Sequence, residues 1–375
     1  MRILLAVAGT ALLAAAVRSP EIPFERKMID LGIPESCAVA DFNGDGKLDI
    51  FSGDSWYENP SWKKHKVRTL EEYGTYTASL TDLPLDVDGD GRMDIVSSGW
   101  HPQKLWWSRN TGKPGEMWEH HVFESGNPVE FTFLVDLDND GKANEVLPQF
   151  GGNKAPTAWY ERRDKTLVRH VVSPKSYGHG VGAGDVNKDG RADILTNQGW
   201  LEAPANPRDP DWKFHPDWKI GNSSFIFVVD LNEDGRPDLL SAMAHDYGIF
   251  WVEQKADGTW EKHMIDASWS QGHALTFVDL NGDGRKDLVT GKRFMAHDGK
   301  DPGEHDPLGI YWYEYRSDGK GGVAWSRHVV DYGGRAGGGM HIPVVDIDKD
   351  GDLDFVVAGK TGLYLFDNLI RRGAK

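Results

Sequence analysis

Cysteine is nearly absent: Cys37 is the single one in 375 residues. No internal disulfide can form, so a chain bound for an oxidising compartment would need another staple. Positive charge is short as well. Lys and Arg number 42 against 58 Asp and Glu, a formal net charge of -16, which argues against a nucleic-acid partner. The one extended apolar run, residues 3–17, is too short for a comfortable membrane span. No stretch repeats apolar residues with helical periodicity, and no segment is low in complexity. A helical bundle, a disulfide scaffold and a helical membrane protein are therefore excluded as readings.

The apolar run follows Met1-Arg2 and contains Ala14-Ala15-Ala16. A short basic start, an apolar stretch of this length and small residues at its end make a secretory signal peptide. Residues 1–19 are read as that signal and residues 20–375 as one domain, secreted or periplasmic. Cys37 falls in the strand pattern Cys37-Ala38-Val39-Ala40 and reads as a buried structural thiol.

What the chain has in abundance is one nonapeptide. Asp279-Leu280-Asn281-Gly282-Asp283-Gly284-Arg285-Lys286-Asp287 places side-chain oxygens at positions 1, 3, 5 and 9, with a glycine at 6 for the turn. The pattern starts at Asp41, Asp86, Asp136, Asp185, Asp230, Asp279 and Asp346, at intervals of 45 to 50 residues and a final one of 67. Around each copy run four short β-branched and aromatic segments bounded by turn residues. Self-similarity at this period, built from strands, predicts an all-β, seven-bladed β-propeller with four-stranded blades. The last unit ends after its third strand. Residues 24–30, Phe-Glu-Arg-Lys-Met-Ile-Asp, match the fourth-strand residues 260–266, Trp-Glu-Lys-His-Met-Ile-Asp. The N-terminal strand is expected to complete the last blade and remove an exposed edge; an open solenoid is the alternative.

The loops are candidate calcium sites of a structural kind, several per chain. Their ligands are Asp41, Asn43, Asp45 and Asp49; Asp86, Asp88, Asp90 and Asp94; Asp136, Asp138 and Asp140, with Asn144 at position 9; Asp185, Asn187, Asp189 and Asp193; Asp230, Asn232, Asp234 and Asp238; Asp279, Asn281, Asp283 and Asp287; and Asp346, Asp348, Asp350 and Asp354. Asn144 makes the third loop the weakest. None carries the bidentate Glu of an EF-hand, and the flanks are strands. The bland alternative is a set of Asp/Asn/Gly turns that bind nothing.

Histidine falls into two groups. His65, His121, His170, His263 and His328 recur in the fourth strand and read as structural. The others gather at the rim opposite the cation loops. Six residues before each first Asp stand Glu35, Leu80, Glu130, His179, Ser224, His273 and Met340, the last beside His341. Seven residues after position 9 stand Trp56, His101, Gly151, Trp200, His245, Phe294 and Thr361. A purely structural repeat would carry similar residues at equivalent positions, and these differ. Three histidines with an open position suit a catalytic zinc-type ion, so His179, His245, His273 and His341 are candidate ligands for Zn2+ or another divalent transition metal. His101, His179, His245, Tyr247, His273, Lys292 and Arg335 are candidate catalytic groups, with His297 and Arg293 nearby. Trp100 and Trp200 are candidate faces for sugar stacking. Scattered rim histidines without a metal are the bland alternative. Paired carboxylates such as Glu35 and Glu130 would suit glycoside hydrolysis.

Seven D-x-[DN]-x-D-G loops between strands resemble the FG-GAP or VCBS repeat propellers over nearly the whole mature chain, which implies the fold and leaves the function open. Residues 178–185, Ala244-His245-Asp246-Tyr247-Gly248 and residues 291–313 resemble the propeller domain of aldos-2-ulose dehydratases and their bacterial relatives. That resemblance implies a metal-dependent carbon–oxygen lyase: a sugar dehydratase performing β-elimination on keto sugars of the anhydrofructose, glucosone or 3-keto-glycoside class. His179, His245 and His273 would be its metal or catalytic histidines. The fungal enzyme also has cupin domains, and the resemblance here is to the propeller alone. The expected partner is a small sugar or glycan, with no nucleic acid and no membrane span. A carbohydrate- or protein-binding propeller without chemistry is the other class the sequence leaves open.

Overall fold

The computed structural model describes residues 19–152 and 155–371. The expected signal peptide lies outside the described residues except for Ser19, whose amide and hydroxyl bond the Glu314 carboxylate at 2.8 and 2.6 Å. All helix or strand structure among the described residues is β-strand, arranged as an all-β propeller. Five antiparallel sheets of four strands stand alone. Their innermost strands are Cys37–Ala40, Thr81–Leu85, Val129–Val135, Ala274–Val278 and Val344–Val345. Phe24–Asp30 pairs antiparallel with Gly362–Asn368, from Phe24↔Asn368 to Asp30↔Leu363, so the N-terminal strand closes the last blade.

The expectation of seven separate blades is corrected here: five are free-standing. Glu72–Tyr73 pairs with Tyr76–Thr77 as a separate short ribbon, and the eight strands from Val181–Gly184 to Trp260–Ser270 form one sheet. In it two antiparallel meanders join through their inner strands, which pair in parallel at Val181↔Phe225 and Gly182↔Ile226. Glycine is the reason. A Cβ on Gly182 would sit 2.0 Å from the Ile226 carbonyl oxygen, and one on Gly184 would sit 2.7 Å from the Val228 side chain. Without side chains there, the two strands approach to ladder distance, about 4.8 Å.

The core lies between adjacent sheets. Leu83, Val96, Leu105 and Trp107 of one blade meet Val129, Val146, Ala158 and Tyr160 of the next, all buried, and each fully buried aliphatic contributes about 1.5–3 kcal/mol. On four of the free-standing blades a tryptophan of the third strand lies across from a histidine of the fourth, at Trp56–His65, Trp107–His121, Trp159–His170 and Trp312–His328, and Trp251–His263 does the same in the eight-stranded sheet, at centroid distances between 3.7 and 4.5 Å. These cross-strand pairs account for the repeated histidines.

Position six of the nonapeptide is left-handed in all seven loops, with φ between 82° and 95°, which glycine adopts without penalty. The first Asp folds back onto the loop's own amides: Asp41 accepts from Gly44, Asp45 and Gly46 at 2.7, 3.2 and 2.8 Å. The ninth residue turns inward. Asp49 is buried and accepts from Phe42 N at 3.1 Å and Asn59 N at 2.9 Å, tying the loop to the third strand. In the third unit Asn144 does not take this place. Its neighbour Glu145 does, accepting from Leu137 N at 2.9 Å.

Candidate metal centre

Four groups converge at the mouth of the channel, on the rim opposite the nonapeptide loops. Glu130 sits at a β-bulge: Val129 pairs with Phe150 and Phe131 with Gln149, so Glu130 is the extra residue, and a bulge re-aims a side chain. His273 immediately precedes the strand Ala274–Val278, and His245 lies between Asp238–Ala242 and Tyr247–Gln254. His179 ends a loop that enters Val181–Gly184.

Each imidazole has its Nδ1 engaged with an oxygen. His179 Nδ1 donates to the Ser223 carbonyl at 2.9 Å, and His245 Nδ1 to Asp301 at 2.8 Å. His273 Nδ1 points to the Gln271 carbonyl at 3.4 Å. A carbonyl or carboxylate only accepts, so a proton is on Nδ1; the neutral ring then has its lone pair on Nε2, and a ring that also carries a proton on Nε2 donates it to Glu130. Those Nε2 atoms face one another and Glu130. His179 Nε2 is 2.9 Å from Glu130 Oε2 and 2.9 Å from His245 Nε2. His245 and His273 Nε2 lie 3.8 and 3.5 Å from Glu130 Oε1. His273 Nε2 is buried without a hydrogen-bond partner, and the ligand atoms of Glu130, His245 and His273 all fall within 4.8 Å of one another. Outward-anchored Nδ1 atoms and inward Nε2 atoms are what a metal-ligating histidine set requires, so these residues fit a divalent ion.

The electrostatics follow from burial. Desolvation pushes the His273 imidazole well below its ordinary value, with the Arg293 guanidinium adding to it, so His273 stays neutral. Burial alone would raise Glu130, but His179, His245 and His273 outweigh it and hold the carboxyl well below the usual range. Beneath the cluster Arg293 bridges two carboxylates: its Nη1 donates to Glu130 Oε1 at 2.9 Å, and its Nε and Nη2 donate to Glu35 at 2.8 and 3.2 Å.

Above the cluster opens a cavity of about 410 Å³ lined by Tyr76, Trp100, His101, Glu130, Arg293 and, from the insertion that lengthens the interval between Asp279 and Asp346, Ala296, His297, Asp298, Lys300 and Asp301. Trp100 is 39% exposed. His101 stacks on Tyr73 at 5.0 Å. The insertion is held over the mouth by Tyr76, whose hydroxyl donates to the Ala296 carbonyl, and by Lys360 Nζ, which donates to Met295 O at 2.8 Å. Asp301 Oδ2 receives both His245 Nδ1 and, at 2.9 Å, His297 Nδ1. The His297 ring lies parallel to His245 at 4.3 Å, and its side chain is half exposed.

The remaining sequence candidates are elsewhere. His341 lines the channel proper, with Cys37, Asp82 and Phe133, and burial pushes its imidazole down to about 4. Met340 holds the rim position and is fully buried; one residue further along an extended chain faces the other way. Trp200 is 5% exposed, covered by His215 at 4.2 Å, and donates to Asp217. It belongs to the structural Trp–His pairs, with His215 as a further member. Tyr247 donates to Asp306 at 2.5 Å. Lys292 is buried against Ser270 Oγ and Gly303 O, at 2.9 and 2.6 Å, and burial pushes its ammonium down to about 8. Arg335 is exposed, with its carbonyl accepting from Thr361. None of these three lines the cavity. Glu35 and Glu130 share Arg293 and are both buried, so neither is the solvated carboxylate that glycoside hydrolysis would use. Glu130 as a member of the histidine cluster and Asp301 as its support were not foreseen. Glu130 did carry a signal, because it occupies the same register as His179 and His273.

Residues 86–147 and 230–290 match the sequence model of the FG-GAP-like repeat. The chain is 24% identical over 293 residues to phosphatidylinositol-glycan-specific phospholipase D of Rattus norvegicus, covering 62% of this chain and 33% of that protein. It is 25% identical over 258 residues to rhamnogalacturonan endolyase YesW of Bacillus subtilis (strain 168), covering 60% and 40%. The chain thus spans two fifths or less of the length of these relatives. Among solved structures, BBS1N in complex with ARL6DN superposes with a TM-score of 0.54 at 10% identity, covering 92% of this chain and 96% of that one. Rhamnogalacturonan lyase YesW superposes with a TM-score of 0.50 at 11% identity, covering 92% and 75%. At these identities the likeness is one of fold, and the chain is a β-propeller that carries FG-GAP-like repeats.

Proposed function

We propose that the channel mouth is a divalent transition-metal centre acting on an oxidised sugar, as a carbon–oxygen lyase that eliminates across the bond next to a carbonyl. The observation that carries this reading is the convergence of three Nδ1-anchored imidazoles and Glu130 under an open cavity. His179, His245, His273 and Glu130 would hold the ion, which would supply Lewis acidity toward a carbonyl oxygen. His297 keeps its Nδ1–H on Asp301, so Nε2 is the basic atom it offers the cavity. It would take the proton from the carbon beside the carbonyl. The electron pair of that C–H bond becomes the new C=C bond as the β C–O bond breaks. The departing oxygen leaves as hydroxide or alkoxide and takes a proton from His101, which lines the same cavity. Trp100 offers its exposed face to the sugar ring. Both curated relatives are named for carbohydrate-containing substrates, which supports a sugar ligand. On the same reading the nonapeptides are calcium staples of a secreted or periplasmic protein.

The test is elimination from 1,5-anhydrofructose and from a 3-keto-glycoside, followed as enone absorbance, with metal analysis of the purified protein. Product formation lost in His179→Ala and His273→Ala, together with one bound zinc, manganese or iron per chain, is the expected result. No product from any keto sugar sinks the lyase reading. The exposed Trp100 also suits a binding propeller without chemistry. That reading expects glycan binding that survives both histidine substitutions and is lost in Trp100→Ala.

A further inference from the structure

The metal reading gives the buried Arg293 no role. Arg293 is 1% exposed, and burying a guanidinium costs several kcal/mol unless partners are fixed around it. Its partners come from distant parts of the chain. Arg293 follows the strand Asp287–Gly291, Glu35 precedes Cys37–Ala40 and Glu130 lies in Val129–Val135. The side chain therefore spans the channel mouth between three blades. Lys360 adds to the same network, with its Nζ 4.0 Å from Glu35 Oε2. Arg293 and Lys360 occupy the same register in successive units, six residues after Asp287 and Asp354, while Glu35 and Glu130 both stand six residues before a loop. One register thus supplies the cations and the other the anions.

Glu130 needs this support more than the histidines do. Each imidazole is oriented by its own Nδ1 acceptor, whereas Glu130 sits on a bulge, and its Oε1 is held by Arg293 Nη1. The fork of a guanidinium is rigid and planar. Two of its nitrogens are locked by Glu35 at 2.8 and 3.2 Å, so the third can point only one way. Resting on the metal reading above, we propose that Arg293, clamped by Glu35, is a positioning residue that fixes the Glu130 carboxylate in the histidine cluster. It acts on the cluster through Glu130: the guanidinium nitrogens are taken up by the two carboxylates, although the side chain also lines the cavity.

Cobalt(II) alone is the probe, titrated into metal-stripped, calcium-loaded protein and read by its visible absorption and by calorimetry. Loss of an outer-shell partner typically lowers metal affinity about 10–100-fold. Arg293→Met is expected to lose affinity within that range and to change the shape of the cobalt bands, because Glu130 is no longer held in one orientation. Glu35→Gln is expected to shift the bands the same way with a smaller loss. Arg293→Lys keeps a donor for Glu130 but cannot clamp Glu35 as well, and is expected to fall between wild type and Arg293→Met. It also guards against a methionine variant that fails to fold. Wild-type affinity and an unchanged spectrum in Arg293→Lys and in whichever of the other two folds overturn the proposal while leaving the metal site standing. If wild type binds no cobalt, the metal reading fails and this one with it.

Discussion

Arg293→Met also perturbs stability, and the size of the effect follows from what the guanidinium leaves behind. Glu35 and Glu130 are 2% and 5% exposed, and methionine gives neither of them a donor. Breaking a buried pair by removing one partner costs about 3–5 kcal/mol. Glu130 keeps His179 at 2.9 Å and Glu35 keeps Lys360 at 4.0 Å, which places the loss toward 3 kcal/mol on that scale. The dependence on pH is the sharper signature. In wild type Glu130 is held well below its ordinary value, so its contribution is present above the unfolded carboxylate pKa of about 4.3. It is lost as pH falls through the folded value. In the variant Glu130 loses the Arg293 cation and keeps its histidines, so its folded value rises toward the ordinary one and its contribution shrinks. The gap between wild type and variant should be full above the unfolded carboxylate pKa and narrow as pH falls through the folded values. Urea unfolding followed by tryptophan fluorescence, with calcium present and transition metals removed, measures it. A gap below about 1 kcal/mol at pH 7, within the range of an ordinary surface substitution, or one that does not change with pH, would refute the buried-network argument.

Gly182→Ala should lower the melting temperature, because its Cβ would meet the Ile226 carbonyl at 2.0 Å and force the two inner strands apart. An overpacking penalty of about 1–3 kcal/mol is expected, and an unchanged melt would count against the parallel joint. Trp100→Ala should weaken binding of a sugar ligand with little change in stability, while Trp200→Ala should destabilise by about 3–5 kcal/mol as a buried aromatic truncation. Calorimetry of both variants separates the two roles. Calcium removal should lower the melting temperature, since a ligand at about 100 times its Kd stabilises the native state by about 2.7 kcal/mol per site; a melt indifferent to chelator would dismiss the staple.

The nonapeptide was a reliable ruler for the fold and half of one for the site. Counting back six residues from Asp185 and Asp279 reaches His179 and His273, and the same count from Asp136 reaches Glu130. Those positions are legible because a repeat returns the chain to the same rim at the same offset. His341 was misplaced by a single residue, since Met340 holds the register and an extended backbone turns its neighbour toward the channel. Trp100 and Trp200 differ by one position in register as well. The first is exposed at the mouth, while the second, equivalent to Trp56, is stacked under a histidine. Asp301 and His297 lie in an insertion that no repeat rule places.

Composition, turn chemistry and period by themselves determined an all-β ring of repeated units, the left-handed glycine at position six and the closing of the last blade by residues 24–30. All of these are local or periodic and need no knowledge of what faces what. Only the tertiary structure decided that two units fuse through Gly182, that Glu130 rather than His341 completes the histidine cluster, and that Arg293 sits beneath it. These depend on which blades stand opposite one another across the channel and on how closely two backbones approach. Such distances are set by side-chain volumes in three dimensions and leave no spacing along the chain.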